Sequence, residues 1–335
     1  MAVAKTVLDI RGNMLLPAGT EAWPFIEQLK NVNIKYLYID DEISTDVETW
    51  SILSEETRKK LPALMDEAKK QYQHIEDGEK FDTTMMIIFK EMAILVSNDI
   101  LSNKEIRIDA TELFTNNVFS LSHELNVAII AGLFGRMMGL PDIKNICLAG
   151  FLHDIGKLAL PEEIRLKLEN NQPLTSMEEI DFKDYPSLGF DMLEDFLEME
   201  ASFAVYHQSE NYDGSGFPLS KREEDIPLSA QIIAFANAFD ELFSLRKLRT
   251  YEVVEWMQKH SGTKFNPKLV KMFAKNTIPY PNGTIVYLSD RRKGIVIQQN
   301  QHFVARPVVK IINSEKPEMV NLLEDLTISI DDIDM

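Results

Sequence analysis

Residues 147–161 read CLAGFLHDIGKLALP, an apolar run that places His153, Asp154 and Lys157 within five residues of one another. A stretch of this texture belongs inside a folded helical domain. An unpaired charge in such a place costs on the order of several kcal/mol, so these side chains need partners, either one another or a metal ion. A neutral imidazole and a carboxylate are good ligands for a first-row divalent metal, and a carboxylate can bridge two ions. The plainer reading is a His153–Asp154 hydrogen bond closing a helix end, with Gly156 permitting the turn that follows.

Working outward, Ile143 to Leu152 is expected as a short buried helix. Upstream, residues 116–140 carry one apolar stripe at Val118, Leu121, Leu125, Ile129 and Leu133 and a second at Val127, Ile130 and Phe134. A helix buried on two sides sits in the middle of a bundle. Downstream, 187–200 reads as an amphipathic helix and 227–242 as another buried one, giving an all-α domain of at least five helices. Residues 1–42 read as short strands around turns, with a helix at Trp23 to Leu29 and a strand in KYLYID; residues 45–108 read as a helical connector. After Pro279 the texture turns to strands separated by Asn282-Gly283 and Arg292-Lys293-Gly294, ending in an acidic tail, ISIDDIDM. The expected division is 1–108, an α+β module with its connector; 109–278, the helical domain; and 279–335, a small β extension.

The composition narrows the function. In 335 residues, 35 Lys and Arg stand against 53 Asp and Glu, a net charge of −18 that disfavours nucleic acid and anionic membrane as partners. No run approaches the ~18 consecutive apolar residues of a membrane span. The one cysteine, Cys147, rules out an intramolecular disulfide and reads as a small buried hydrophobe, which suits a reducing cytoplasm.

Of six histidines, three fall in the predicted buried helices. His123 lies level with Val127 and Ile130, as a satisfied core histidine or a ligand. His207 opens HQSENYDGSGFP, where Asp213, Gly214, Ser215 and Gly216 indicate a tight loop, either an ordinary turn or one that a ligand approaches closely. Asn237 and Asp240 interrupt the buried stripe of their helix, for structure or for chemistry.

Together these stretches resemble the HD-GYP family, a branch of the HD superfamily of metal-dependent phosphohydrolases. FLHDIGKLALPEEIRLKLENNQPLTSMEEIDFKDYPSLGFDML, ENYDGSGFPLS and IPLSAQIIAFANAFDEL match three family blocks in order, and both flanks are also similar to family members. The resemblance implies an HD-type helical bundle holding two divalent ions, iron foremost with manganese as the alternative, that hydrolyses cyclic di-GMP. On this resemblance His123, His153, Asp154, His207 and Asn237 are the metal ligands, with Tyr185, Gln208 and Asp240 as weaker candidates. Asp154 and Lys157 would carry catalysis, while Lys157, Lys167, Asp213, Gly214, Gly216, Phe217 and Pro218 would line the substrate site. Lys167, Lys221 and Arg222 would offset the acidic surface locally.

The chain also departs from the pattern. Phe119 stands where members with a third metal place a glutamate, so no third ion is expected. Tyr185 replaces a histidine, Gln208 and Ser209 replace a histidine pair, Asn237 replaces an aspartate, and Phe217 replaces the tyrosine of GYP. Two readings follow: a two-metal cyclic di-GMP phosphodiesterase, or a catalytically degenerate member that binds metal or cyclic di-GMP as a sensor. In either, protein partners would dock on the terminal modules or the GFP loop. A phosphohydrolase for another nucleotide is a third possibility.

Overall fold

The computed structural model describes residues 2–4, 7–8, 14–31, 37, 39–40, 44, 47, 51–76, 80–104, 108–109, 121–246, 248–300, 303–312 and 318–334. Phe119, on which the expectation about a third ion rests, lies outside them, as do residues 116–120 and half of KYLYID. The chain is mainly α, as its periodicity implies. Helices Glu55–Glu76 and Thr83–Ser102 lead into Ser122–Met137, Ile143–Leu152, Glu162–Glu169, Ser176–Phe182, Tyr185–Leu193, Met199–His207, Leu228–Asp240, Thr250–Lys259 and Pro267–Asn276. The first two, read above as a connector, bury Leu61, Met65, Phe89, Met92 and Val96 in the same core as the helices that follow.

Two contacts within that core set the geometry of the site. A Cβ on Gly150 would stand 2.6 Å from the Cα of Ala128, so only glycine lets Ile143–Leu152 lie against Ser122–Met137 at this separation. The close crossing brings His153, just past one helix, beside His123 at the start of the other, with ring centroids 5.2 Å apart. Phe235 lies 4.9 Å from Phe134 and 5.1 Å from Phe273, ring centre to ring centre. Such aromatic pairs contribute about 0.5–1.5 kcal/mol each beyond their buried area, and they hold Leu228–Asp240 against Ser122–Met137.

Gly156 serves a different purpose from the one its sequence suggests. Its φ is not left-handed; instead a Cβ there would lie 1.9 Å from the carbonyl oxygen of Tyr185 and 2.5 Å from the Gly189 nitrogen. The turn after Asp154 therefore packs backbone to backbone on Tyr185–Leu193. The helix expected over 187–200 is divided: Tyr185–Leu193 stops and Met199–His207 begins anew. The bend between them keeps Leu193, Leu197, Ala201 and Val205 all in the core.

At the C-terminus five antiparallel strands follow the order Met319–Asn321, Val308–Ile311, Lys293–Gln298, Ile285–Leu288, Ile330–Asp334, around a separate core of Val286, Leu288, Val296, Val309 and Leu322. The acidic tail is thus a strand, paired with Ile285–Leu288. Its acidic composition masks Ile328, Ile330 and Ile333, which pack on that core. At the other end, Ala2–Val3 pairs with Ile39–Asp40 and Val7–Leu8 with Met14–Leu16 beside the helix Ile26–Asn31, with Val3, Leu16, Ala22 and Leu29 buried between them. No helix among the described residues is long and apolar enough to cross a membrane.

Candidate metal centre

Asp142 caps Ile143–Leu152 by accepting the Asn145 amide at 2.9 Å, and the helix delivers His153 to its C-terminal end. His153 Nδ1 lies 2.8 Å from the carbonyl oxygen of Gly150. A carbonyl only accepts, so Nδ1 donates and the lone pair of the neutral ring is on Nε2. Burial lowers the His153 pKa to about 4, which keeps the ring neutral at physiological pH. Nε2 is buried without a hydrogen-bond partner among the described residues and lies 3.5 Å from Asp154 Oδ2.

Asp154 presents a divided carboxylate. Oδ2 accepts from Lys157 Nζ at 2.5 Å, whereas Oδ1 is buried and unpartnered. Burial works against its ionisation, but the electrostatics of His153, Lys157 and His123 outweigh that and hold the carboxyl well below the usual range. Two electron-pair donors therefore face each other in a buried place. They repel unless a proton or a metal cation lies between them, and both low pKa values disfavour the proton.

His123 completes the group. Its Nδ1 lies 2.7 Å from Asp240 Oδ2; Asp240 also accepts from Asn126 Nδ2 at 2.8 Å and from Ser244 Oγ at 2.7 Å. Burial opposes a charge on His123, yet the hydrogen bond and charge of Asp240 raise its pKa to about 9. A metal at Nε2 would displace that proton while Nδ1–H continues to donate to Asp240, which fixes the ring. Among the described residues, ligand atoms of His123, His153 and Asp154 all lie within 4.8 Å of one another. Two imidazoles and a carboxylate suit a first-row divalent ion, and the unpartnered Nε2 and Oδ1 atoms fit the same group.

The remaining candidates divide. Asp240 is fully buried, and its carboxylate accepts from Asn126 and Ser244 and is bonded to His123 Nδ1. Gln208 donates through Nε2 to the carbonyl oxygen of His153, which tethers it at the turn, and its Oε1 is a buried unpartnered acceptor. Asn237 Oδ1 is another, on the helix face of Asp240 one turn earlier. His207 is not in the three-residue group. Its Nδ1 lies 3.9 Å from Glu210 Oε1, its ring packs on Tyr206 and Phe203, and burial together with Lys221 lowers its pKa to about 4.

Tyr185 is buried, and burial pushes its hydroxyl above the usual tyrosine range, away from the tyrosinate a metal would want. That hydroxyl lies 2.8 Å from Ser209 Oγ, while the Lys157 ammonium sits 5.2 Å from the ring centre. Phe217 meets the same ring edge-on at 6.2 Å. The loop before it turns at Asp213, Gly214 and Gly216, with Asp213 Oδ1 accepting from Ser215 N, and Glu210 holds the chain beyond Pro218 by accepting the Leu219 and Lys221 amides at 2.8 and 3.1 Å. Lys167 is engaged elsewhere, donating to both carboxylate oxygens of Glu178 at 2.6 Å.

Sequence reading missed Asn126, Ser244 and Glu124, and it named Ser209 only as a replaced histidine. Asn126 was detectable, as a polar residue three positions after His123 in an otherwise apolar buried run. Glu124 is half-buried; burial raises its pKa, against the opposing pull of His123 and Lys157. Ser244 carries no local signal.

The model of the HD domain family matches residues 96–269, more than half of the chain. A Pseudomonas aeruginosa protein named cyclic di-GMP phosphodiesterase is 28% identical over 232 residues, 67% of this chain and 55% of that protein. The cyclic di-GMP phosphodiesterase response regulator RpfG of Xanthomonas campestris is 34% identical over 151 residues, 42% of this chain and 39% of its own. The chain thus spans about half the length of the curated relatives it matches, or less. Among solved structures, an HDG"Y"P protein of Bdellovibrio bacteriovorus superimposes with a TM-score of 0.51 at 17% identity, covering 82% of this chain and 94% of that one. The match over 96–269, which takes in His123, His153 and Asp154, carries the conclusion that the chain belongs to the HD domain family.

Proposed function

We propose that this protein is a metal-dependent phosphodiesterase that hydrolyses a cyclic dinucleotide, cyclic di-GMP first. The observation that carries the reading is the facing of His153 Nε2 and the Asp154 carboxylate at 3.5 Å, buried beside His123, an arrangement of donors that a divalent cation would hold together. A divalent ion held by His123, His153 and Asp154 would supply Lewis acidity toward a phosphoryl oxygen and lower the pKa of a water. Hydrolysis forms one bond from water oxygen to phosphorus and breaks one P–O ester bond, the leaving ribose oxygen taking the proton. Around that exchange, Asp240 holds His123 in one tautomer, Gly150 does the same for His153, and Lys157 keeps a positive charge beside the carboxylate. The relatives named as cyclic di-GMP phosphodiesterases support the substrate.

The finer parts of the reading are proposals of the same kind. The resemblance adds two ions, iron foremost and manganese second, a cytoplasmic setting, and protein partners at the terminal modules or the GFP loop. Asp213, Gly214, Gly216, Phe217 and Pro218 would line the substrate side, with Lys167 available only if its bond to Glu178 opens. The functional units would be 1–108, 109–278 and 279–335. A second reading, a metal- or cyclic-di-GMP-binding sensor without turnover, is favoured by the mutual hydrogen bond of Tyr185 and Ser209 at two positions where the family pattern has histidines.

The deciding experiment incubates the purified chain, loaded with Fe2+ or Mn2+, with cyclic di-GMP and with 3′3′-cGAMP, the substrate in the name of a Vibrio cholerae relative. Product formed by the wild type and lost in Asp154→Asn supports the reading. Metal retained with neither substrate cleaved would give way to the sensor reading.

A further inference from the structure

A cavity of about 460 Å3 lies between the helices Thr250–Lys259 and Pro267–Asn276 and the C-terminal sheet, and it shares no residue with the metal centre. Its size is that of a small-molecule site, and such sites favour the junctions between structural units. Tyr251, Val254, Glu255 and Gln258 line it at the i, i+3, i+4, i+7 spacing, so one face of the first helix forms a wall. Arg249 Nη1 joins that helix to the last strand, donating to the Tyr251 hydroxyl and to Asp332 Oδ1, each at 3.1 Å. Two charged residues line the cavity, Glu255 and Arg306, and neither is in an ion pair among the described residues. Arg306 donates through Nη1 to the carbonyl oxygens of Leu322 and Ile328 at 3.0 and 2.9 Å, which leaves Nε and Nη2 as a fork of parallel donors. Thr277, also in the lining, is buried with its hydroxyl unpartnered among the described residues. Burial, followed by Tyr251, Glu255 and Asp331, raises the Tyr280 hydroxyl above the usual tyrosine range and keeps it a donor.

We propose that this cavity binds a free α-amino acid with an apolar side chain, its carboxylate on Arg306, its ammonium on Glu255 and its side chain against Val254, Val304 and Leu322. The two charges select the class. A ligand that displaces water while carrying one sign of charge, or none, leaves Glu255 or Arg306 less solvated and still unpaired; a zwitterion satisfies both. The Arg306 fork matches a carboxylate bidentately, and a phosphate would set its charge against Glu255. Thr277 and Tyr280 offer hydroxyls to the same polar end. Because its walls come from the helices and from the sheet, an occupied cavity ties the two together beside the Arg249 bridge. The site stands independently of the phosphodiesterase reading.

The test is isothermal titration calorimetry of the full chain with L-phenylalanine and with L-leucine. Each is also used as its amide, which lacks the carboxylate, and as its N-acetyl form, which lacks the ammonium. The expected result is saturable binding of at least one of the two amino acids at a single site, with its amide and N-acetyl forms each weaker by about tenfold or more. No binding of either amino acid, or derivatives that bind as tightly as the parent, would overturn the proposal. Titrations are run with and without Mn2+, because an amino acid can also coordinate a metal; binding that requires Mn2+ would belong to the metal centre and overturn the proposal too. Glu255 is exposed, so Glu255→Gln leaves the core intact, and it should weaken the parent amino acid by a similar factor. Unchanged affinity in that variant would place the amino acid elsewhere on the chain and overturn the site.

Discussion

The hydroxyls of Tyr185 and Ser209 are bonded to each other at 2.8 Å, across 24 residues of sequence, beside the lysine that neutralises Asp154. Tyr185 opens one helix and Ser209 follows the end of another, so the bond fastens the two together next to the HD turn. Removing either partner alone leaves a buried or half-buried hydroxyl without its mate, at a cost of about 1–2 kcal/mol. Tyr185→Phe and Ser209→Ala should each destabilise by that amount, and the double variant by less than the sum. Urea denaturation of the four proteins closes the cycle. Strict additivity would mean that the bond contributes nothing.

Asp240 should matter to the metal without touching it. It fixes His123 by accepting from Nδ1, and its other contacts to Asn126 and Ser244 lock the carboxylate in place. Asp240→Asn can present an amide N–H to Nδ1, which favours the tautomer with its proton on Nε2, the atom the ion needs. Loss of such an orienting partner typically weakens metal binding by about 10–100-fold. A Mn2+ titration of Asp240→Asn checks this, and affinity equal to the wild type would show that His123 is positioned by something else.

Much of this centre is legible in the sequence, and the limits are physical. The Ile143–Leu152 helix and the residues His153, Asp154 and Lys157 follow from local pattern, because periodicity and an i,i+3 contact are set by a few consecutive residues. Partner choice across the bundle is not: His123 finds Asp240 117 residues away, and nothing near either position announces it. At the end of Met199–His207 it is Gln208 that bonds the His153 carbonyl, while His207 lies outside the group of His123, His153 and Asp154, and no local pattern separates the two neighbours. The C-terminal strand was hidden by its aspartates, although Ile330 and Ile333 already marked an apolar side.

Gly156 should tolerate no side chain. A Cβ at 1.9 Å from the Tyr185 oxygen is far inside contact distance, and the obstacle is backbone, which cannot swing aside as a side-chain end can. Overpacking of this kind costs about 1–3 kcal/mol and occasionally more. Gly156→Ala should lower the melting temperature and weaken metal binding, because the turn carrying Asp154 must back away from Tyr185–Leu193. A variant that melts with the wild type would show that the two segments part easily.

The Lys167–Glu178 pair gives a pH signature separate from the metal. Its hydrogen bonds from Lys167, then from Thr175, hold the Glu178 carboxyl at about 2. An unfolded glutamate titrates near about 4.3, so the folded value is depressed. The stabilisation is therefore full above about pH 4.3 and lost as pH falls toward about 2. Glu178→Gln should melt below the wild type at neutral pH, and the gap should close across that acidic window. A gap unchanged by pH would mean that the carboxylate charge is not what secures this part of the chain.

Removing the metal should destabilise the fold, because the ion settles a conflict that the protein leaves open. His153 Nε2 and the Asp154 carboxylate lie 3.5 Å apart, with Nε2 and Oδ1 buried and without hydrogen-bond partners among the described residues. An ion that binds the native state and not the unfolded chain adds RT ln(1 + [L]/Kd), about 4.1 kcal/mol at a thousandfold excess over Kd. Chelator should therefore lower the melting temperature, and Mn2+ should restore it in a concentration-dependent way. His153→Ala and Asp154→Ala remove donors, so their melting temperatures should no longer respond to the ion. His260→Ala should respond as the wild type does, since its Nδ1 is paired with the carbonyl of Trp256 and its ring stacks on that same tryptophan. A wild-type chain indifferent to chelator and metal alike would mean that the facing donors are reconciled by a proton instead of an ion.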